Sequence, residues 1–441
     1  MAVGARVGSV NFMGNFSPLD WFKSRSVQSN CRTALSNQPS LEAAVKEVAD
    51  SLMGMAKADL AIVFASTDYA SDLPRLLPLL RQRLTANHWL GCCGGGVIGT
   101  TATGIASEQE QTPALSVTLL QLPGVVLQPF ALDTQALPDL DGPAQNWQEW
   151  IGADPGKARS MLLLIDPSSA SINDLISGID YAYPNSPVMG GIAGPHNAPH
   201  GSLLFDDNVV TGAVGCTIGG DWMLEAVVAQ GCKPIGPVFA VEQVKRNVLL
   251  ELSHDDKKDS PVACLQRVLA DLSEEEREMV RHSLFLGIER RDLVIRSNSG
   301  PKTQGAFLVR NLIGVDPKNG AVAVAERMRA GQNVQFQLRE AEASRQEAEQ
   351  LLHAAQERNS DPPLFGLLMA CLGRGRGLYG APNGDVNIAR KLMPDLPIAG
   401  LFCNGEIGPV GSATHIHGYT ACWGLLRHAP VPAEPSDSDL S

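Results

Sequence analysis

The chain has 441 residues, 44% apolar and 19% charged, a globular composition with enough length for roughly two to three ordinary domains. A formal net charge of −12 argues against nucleic acid, whose phosphates need a basic face. No apolar run approaches the roughly 20 residues of a membrane span, so no membrane partner is expected. Nine cysteines, with one adjacent pair and no Cys-x-x-Cys, fit neither a disulfide framework nor a zinc ribbon. They point to a reducing, cytoplasmic setting.

Residues 1–34 read as an N-terminal extension. Through residue 41 the only acid is Asp20, a composition that also fits an organellar transit peptide and hence an organelle stroma. A first unit follows: the apolar strand "DLAIVFAS", the helical "DLPRLLPLLRQRLT", the strand and turn "HWLGCCGGGVIG", and the strand "ALSVTLLQL". "SMLLLIDP", "SINDLISGIDYAYP", "PVMGGIAGP" and "VTGAVGCTIG" repeat the pattern. A third copy reads "PLFGLLMACLG", "GDVNIARKLMP", "PIAGLFCNGEIGP" and "HIHGYTACWGLL". Each copy predicts a β-α-β unit with parallel pairing, a Gly-rich turn and a final strand. The fold class is therefore α/β, with repeated parallel β-α-β units, Gly-rich turns and additional antiparallel strands.

Between the second and third copies, residues 238–283 read as helical: "VEQVKRNVLLEL", "PVACLQRVLADL" and "SEEEREMVRHSL", the last with Ser273 and Glu276 in a capping-box pattern. "SHDDKKDSP" reads as a charged, exposed loop. Next come a β-meander, "AFLVRNLIGVD" and "GAVAVAE" joined by "DPKNG" and then "NVQFQLRE", and a polar helix, "EAEASRQEAEQLLHAAQER". A boundary near residue 240 gives domains 35–240 and 241–428, with a disordered acidic tail at 429–441.

"GGGVIG" matches G-x-G-x-x-G, but the following "TTATGIASEQEQTP" has no helical period, so a plain turn is preferred to a dinucleotide site. There is no P-loop and no G-x-S-x-G elbow. "CLGRGRGLYG" lies where ligands gather in α/β sheets, at the carboxyl end of a strand. There Arg374 and Arg376 offer guanidinium forks, and Gly373, Gly375 and Gly377 offer backbone N–H groups, to an anion. The bland alternative is an exposed loop whose arginines pair with surface acids.

Gly91, Gly96 and Gly99 share the spacing of Gly400, Gly405 and Gly408, which sets Glu406 against Val97. A carboxylate where another copy uses Val marks Glu406 as special. His415 and His417 are two apart on a strand and share a face. With Glu406 they form a conceivable metal set, or one of them an axial haem ligand; no metal or other cofactor is expected first. Glu108 and Glu110 read as solvated or capping residues. Cys371 and Cys403, with the histidines downstream, leave a thiol enzyme open, although no nucleophile, base and orienting group can be assembled from spacing, so an enzyme is the less favoured reading.

"LAIVFAS", "WLGCCGGGVIG" and "EQEQTPALSVTLLQLPGV", followed by "ACLGRGRGLYG", "PIAGLFCNGEIGPVG" and "HIHGYT", resemble the FIST-domain family over about residues 35–427. The resemblance implies a FIST N-terminal domain followed by a FIST C-terminal domain. It implies sensing of a small ligand, such as an amino acid or related metabolite, with haem and diatomic gas sensing in some relatives. It maps ligand contacts onto Arg374, Gly375, Gly405, Glu406 and His417, to which the residue reading adds Arg376. It supplies no catalytic residues. No kinase, cyclase, methyl-accepting coiled coil or F-box occurs in this sequence, so the expected output is a separate signalling partner. With a zwitterion as ligand, Arg374 is expected to hold the carboxylate and Glu406 the ammonium. A scaffold with a vestigial pocket is the remaining alternative.

Overall fold

The computed structural model describes residues 28–55, 57–290, 307–359 and 361–430. The acidic tail from residue 431, and any transit peptide within residues 1–27, lie outside them.

All three β-α-β units are present. The first is Ala58–Ser66, helix Leu73–Arg81 and Ala86–Gly94; the second is Ser160–Ile165, helix Ile172–Ala182 and Val188–Ile192; the third is Phe365–Cys371, helix Gly384–Leu392 and Ile398–Cys403. Their strands pair in parallel. Each first strand also pairs antiparallel with its unit's last strand: Leu115–Gln121, Ala213–Gly220 or Ala421–His428. An edge strand completes that side: Asn30–Ser36, Val125–Leu132 or Trp222–Ala229. Residues 30–34 are thus a paired strand and not part of an extension.

The units are tied by exchange of hairpins around a ring. The first unit's hairpin, Gly96–Thr100 with Ala106–Glu110, joins the third unit's sheet through Gly400↔Ile98. The second unit's, Leu203–Phe205 with Asn208–Val210, joins the first through Leu204↔Gly91. The third unit's, Glu406–Val410 with Ala413–His417, joins the second through Ile407↔Gly190. The residue facing each incoming hairpin is glycine for the same reason. A Cβ on Gly91, Gly190 or Gly400 would lie 1.9, 1.7 or 1.9 Å from the carbonyl oxygen of Val63, Leu163 or Leu368 on the adjacent strand. The inner faces of the three sheets share one core, with Phe64, Leu162, Trp222, Met369 and Leu401 fully buried.

The region between the second and third units closes on itself. Cys232–Lys245, Asn333–Arg339, Leu284–Glu289, Phe307–Asp316, Ala321–Val324 and Val248–His254 pair in that order, and the last returns to the first to make a barrel. Helix Pro261–Ala270 packs Cys264 and Val268 into its core. The helix expected over "VEQVKRNVLLEL" is instead a β-hairpin. Its apolar residues at 241, 244, 248 and 252 imitate a helical period because the strand carries register shifts around Gln243, which break the alternation of two. "SHDDKKDSP" contains a tight hairpin turn with Asp255 and Asp256 at φ 48° and 61°. The expected boundary at 240 falls inside the strand Cys232–Lys245. The capping box holds, with the Ser273 hydroxyl accepting from Glu276 N and Glu276 accepting from Ser273 N.

Candidate functional site

Two polar clusters grow from the third unit. The first surrounds the loop after Phe365–Cys371. Arg374 is fully buried. Its Nε donates to Asp385 Oδ2 at 2.8 Å, its Nη2 to Asp385 Oδ1 and Tyr379 Oη, both at 2.6 Å, and its Nη1 to the Tyr419 carbonyl at 3.0 Å. The guanidinium therefore faces a protein carboxylate and does not offer an open fork to a ligand. Glu108, from the hairpin that the first unit lends, crosses to this cluster. Its carboxylate accepts from the N–H groups of Asn383, Gly384, Asp385 and Val386, capping the helix Gly384–Leu392. Burial and nearby Asp385 push Glu108 up to about 7, against the pull of those N–H groups. Glu110 accepts from Arg376 N at 3.0 Å, and a Cβ on Gly375, whose φ is +53°, would lie 2.4 Å from the same oxygen. The Arg376 side chain is exposed.

Glu406 is also fully buried. Its hairpin register matches it with Val97 in the first unit and Leu203 in the second, both buried and apolar. It accepts from Thr420 N at 3.0 Å and from Cys403 Sγ at 3.6 Å. Burial pushes its carboxyl up to about 8, only partly offset by Thr420 N–H and Arg374. It carries its proton near neutral pH. Gly405, at φ 147°, starts this hairpin and its carbonyl accepts from Ile192 N at 2.8 Å. The structure thus brings Cys371, Cys403 and Glu406 together. Yet burial raises both thiols, Cys371 to about 11 and Cys403 well above the usual thiol range, with Glu406 adding to each. A thiolate nucleophile is not favoured there.

The second cluster is a cleft of about 800 Å³ where three elements meet. Helix Ile172–Ala182 supplies Asn173, Ile176, Ser177 and Asp180, one face at helical spacing. The barrel strand Phe307–Asp316 supplies Arg310 and Asn311, and the hairpin strand Ala413–His417 supplies His415 and His417. Asp180 is bound on both oxygens by Thr414, from N and from Oγ1, each at 2.6 Å. Arg310 Nε donates to Glu326 at 2.9 Å and Nη1 to the Val309 carbonyl at 3.2 Å, which leaves donors of its five over for a ligand.

His417 is 3% exposed and its Nε2 lies 3.0 Å from the Gly408 carbonyl. A carbonyl only accepts, so Nε2 carries the proton and Nδ1 presents a lone pair. That Nδ1, and Nε2 of His415, are buried without a hydrogen-bond partner. Burial lowers both imidazoles, His417 to about 4 and His415 to about 3, and Arg310 lowers both further. Both are neutral at physiological pH.

Of the residues singled out in the sequence, only His415 and His417 line this cleft; Arg374, Gly375, Arg376, Gly405 and Glu406 do not. Among the described residues, no group of three or more His, Cys, Asp and Glu side chains could hold a metal ion. The lining mixes polar and apolar surface about equally. Sequence reasoning missed Arg310, Asn311, Asn173 and Asp180, which come from distant segments with no local signature. It also missed Ser202, whose Oγ lies 3.2 Å from His196 Nε2. That contact resembles a nucleophile and base, but His196 Nδ1 accepts from Ala198 N, so Nε2 holds the proton and donates to Ser202.

The fold and cleft define a ring of three β-α-β units joined to a barrel, with its open polar groups at the seam. The FIST N domain matches residues 59–255 and the FIST C domain residues 261–409. The chain belongs to the FIST family, whose domains are sensory and signal-transduction domains. An uncharacterized protein of Mycobacterium tuberculosis (strain CDC 1551 / Oshkosh) is 30% identical over 372 residues, 83% of this chain and 91% of that one. An uncharacterized protein of Mycobacterium bovis is 29% identical over 401 residues, covering 90% and 97%. An F-box/LRR-repeat protein of Arabidopsis thaliana is 29% identical over 131 residues, 28% of this chain and 24% of that one. Among the described residues, no helix is long and apolar enough to cross a membrane.

Proposed function

We propose that this protein is a small-ligand-binding sensory protein whose ligand, a metabolite of amino-acid size, occupies the cleft lined by His417 and Arg310, and whose output is a separate protein. The observation that supports this reading is that His415 and His417, which line that cleft, each keep a buried imidazole nitrogen without a partner among the described residues. Buried polar atoms are otherwise paired, and an unpaired one costs about 1–3 kcal/mol, so the site gains by filling. The cleft also joins the second unit's helix to the barrel and to the third unit's hairpin, so a ligand there touches both FIST domains at once.

A thermal-shift screen of amino acids and related metabolites tests it. A ligand at about 100 times its Kd adds about 2.7 kcal/mol of stability. The shift is expected to vanish in Arg310→Gln and His417→Gln. A shift that survives both variants puts the ligand elsewhere, and no shift across the panel removes the reading.

A further inference from the structure

Two thiols stand face to face in the third unit. Cys371 ends the strand Phe365–Cys371, Cys403 ends Ile398–Cys403, and the parallel pairing sets them opposite each other. Neighbouring strands lie about 4.8 Å apart, inside the Cα separation of about 4.4–6.8 Å that a disulfide spans. Register partners point to the same side of a sheet, and both thiols reach the Glu406 carboxyl, Cys403 Sγ at 3.6 Å. Among the described residues, no other strand cysteine has a cysteine as its register partner. Cys92 and Cys93 are consecutive on one strand and point to opposite faces. The position does not require thiols. Counted from Gly91 and Gly400, the first unit has Ser66 opposite Gly94 where the third has Cys371 opposite Cys403.

We propose that Cys371 and Cys403 are an oxidant-modified pair, in which a hydroperoxide converts Cys371 to a sulfenic acid and Cys403 then closes a disulfide. Cys371 is half-buried and Cys403 fully buried, so the oxidant meets Cys371 first. The Cys371 sulfur attacks one peroxide oxygen, the O–O bond breaks, and the leaving oxygen departs with the thiol proton as water or an alcohol. The Cys403 sulfur then attacks the Cys371 sulfur, the S–O bond breaks, and the hydroxyl leaves as water with the Cys403 proton. Two thiols are oxidised and one peroxide is reduced. In a reducing setting such disulfides are transient and redox-sensing.

Burial, with Glu406 adding, holds the Cys371 thiol up at about 11 against the N–H groups of Gly373 and Tyr419 and the Arg339 charge. The first step is therefore slow at neutral pH, which suits a response to accumulated oxidant and not a peroxidase. Closing the bond takes the Cys403 S–H donor away from Glu406, the first residue of the hairpin strand lent to the second unit. The pair thus acts on a joint between units, independently of what occupies the His417 cleft.

The experiment treats the full, reduced, native chain with excess hydrogen peroxide at about pH 8.5, where more of the thiol is ionised. The chain is then unfolded, alkylated with N-ethylmaleimide, digested and weighed by mass spectrometry. Expected are two fewer free thiols than the nine of the reduced chain, and one linked peptide pair carrying Cys371 and Cys403 that dithiothreitol separates. Cys403→Ala should stop at the first step, with a Cys371 sulfenic acid that dimedone captures, and Cys371→Ala should keep Cys403 unoxidised. The same treatment of the wild type in urea keeps the test independent of whether the variants fold. There the link should lose its preference over other pairs, since the fold no longer sets the two cysteines face to face. Nine free thiols after native treatment overturn the proposal, and so does a link between other cysteines. A Cys371–Cys403 link no more frequent in the native chain than in urea overturns it too, because the strand register is then not directing it.

Discussion

The Arg374 cluster and the His417 cleft both bury polar and charged side chains, but they differ in what is left over. Arg374, Asp385, Tyr379, Glu108 and Glu406 have a partner within the protein for every buried side-chain nitrogen and oxygen, and only Arg339 Nη1, beside Gly373 at the edge of this cluster, lacks one, whereas His415 and His417 each keep one without. A closed network holds the chain together, and an open one has capacity for something else. The closed one is also a joint: Glu108 and Glu110 come from the first unit and grip the third unit's loop and helix. Charge in a Gly-rich loop is therefore a weaker sign of a ligand than polarity without a partner.

The largest effect expected from this contrast is at Arg374. Arg374→Met leaves Asp385 buried without its cation, and breaking a buried pair costs about 3–5 kcal/mol. Urea unfolding should show it as a lowered midpoint. A loss below about 1 kcal/mol would show that the cluster is not the structural joint argued here. Next is Glu108→Gln, which keeps one acceptor oxygen but removes the charge at the end of the helix Gly384–Leu392. A loss of about 1–2 kcal/mol is expected in the same assay.

Much of the fold was legible in the sequence, because strand-length apolar runs, a helical period and Gly-rich turns recur in all three units. The parallel pairings follow from that pattern. The hairpin exchange does not: Ile98 beside Gly400 and Ile407 beside Gly190 are contacts between units, and no local period encodes them. The barrel hairpin was misread because a bulge at Gln243 mimics a helix. At the site, the His-x-His pair and the oddity of Glu406 were visible, since each breaks an apolar pattern. That Arg374 is engaged by Asp385 was not, because an arginine in a loop reads the same whether its partner is a ligand or a residue eleven positions on. Arg310 and Asp180 had no signal, being brought to His417 only by tertiary packing.

Glu406 sharpens the comparison through pH. Its folded-state carboxyl is raised to about 8 from the ordinary 4.5, so the folded protein binds the extra proton between those values. Stability from this group is greatest below about pH 4.5 and falls as pH rises, by at most about 1.4 kcal/mol per unit, levelling off above about 8. Glu108, raised to about 7, contributes in the same direction, so the informative quantity is the difference between the wild type and Glu406→Gln. The variant should lose little near pH 5, where Gln imitates the protonated acid, and gain relative to wild type by pH 8. A difference that does not vary with pH would mean that Glu406 is ionised in the fold, with a cation balancing it.

The smallest expected effect tests the exposed end of the same loop. The Arg376 side chain is exposed, and the contact to Glu110 is made by its backbone N–H. Arg376→Ala therefore keeps that hydrogen bond and should move stability by no more than about 0.5 kcal/mol. It should also leave the ligand-induced thermal shift intact, because Arg376 does not line the His417 cleft. Loss of the shift in this variant, with the melt of the free protein unchanged, would return the ligand to the Gly-rich loop. The division between a closed joint and an open cleft would then fail at its most exposed residue, where no structural damage could account for the loss.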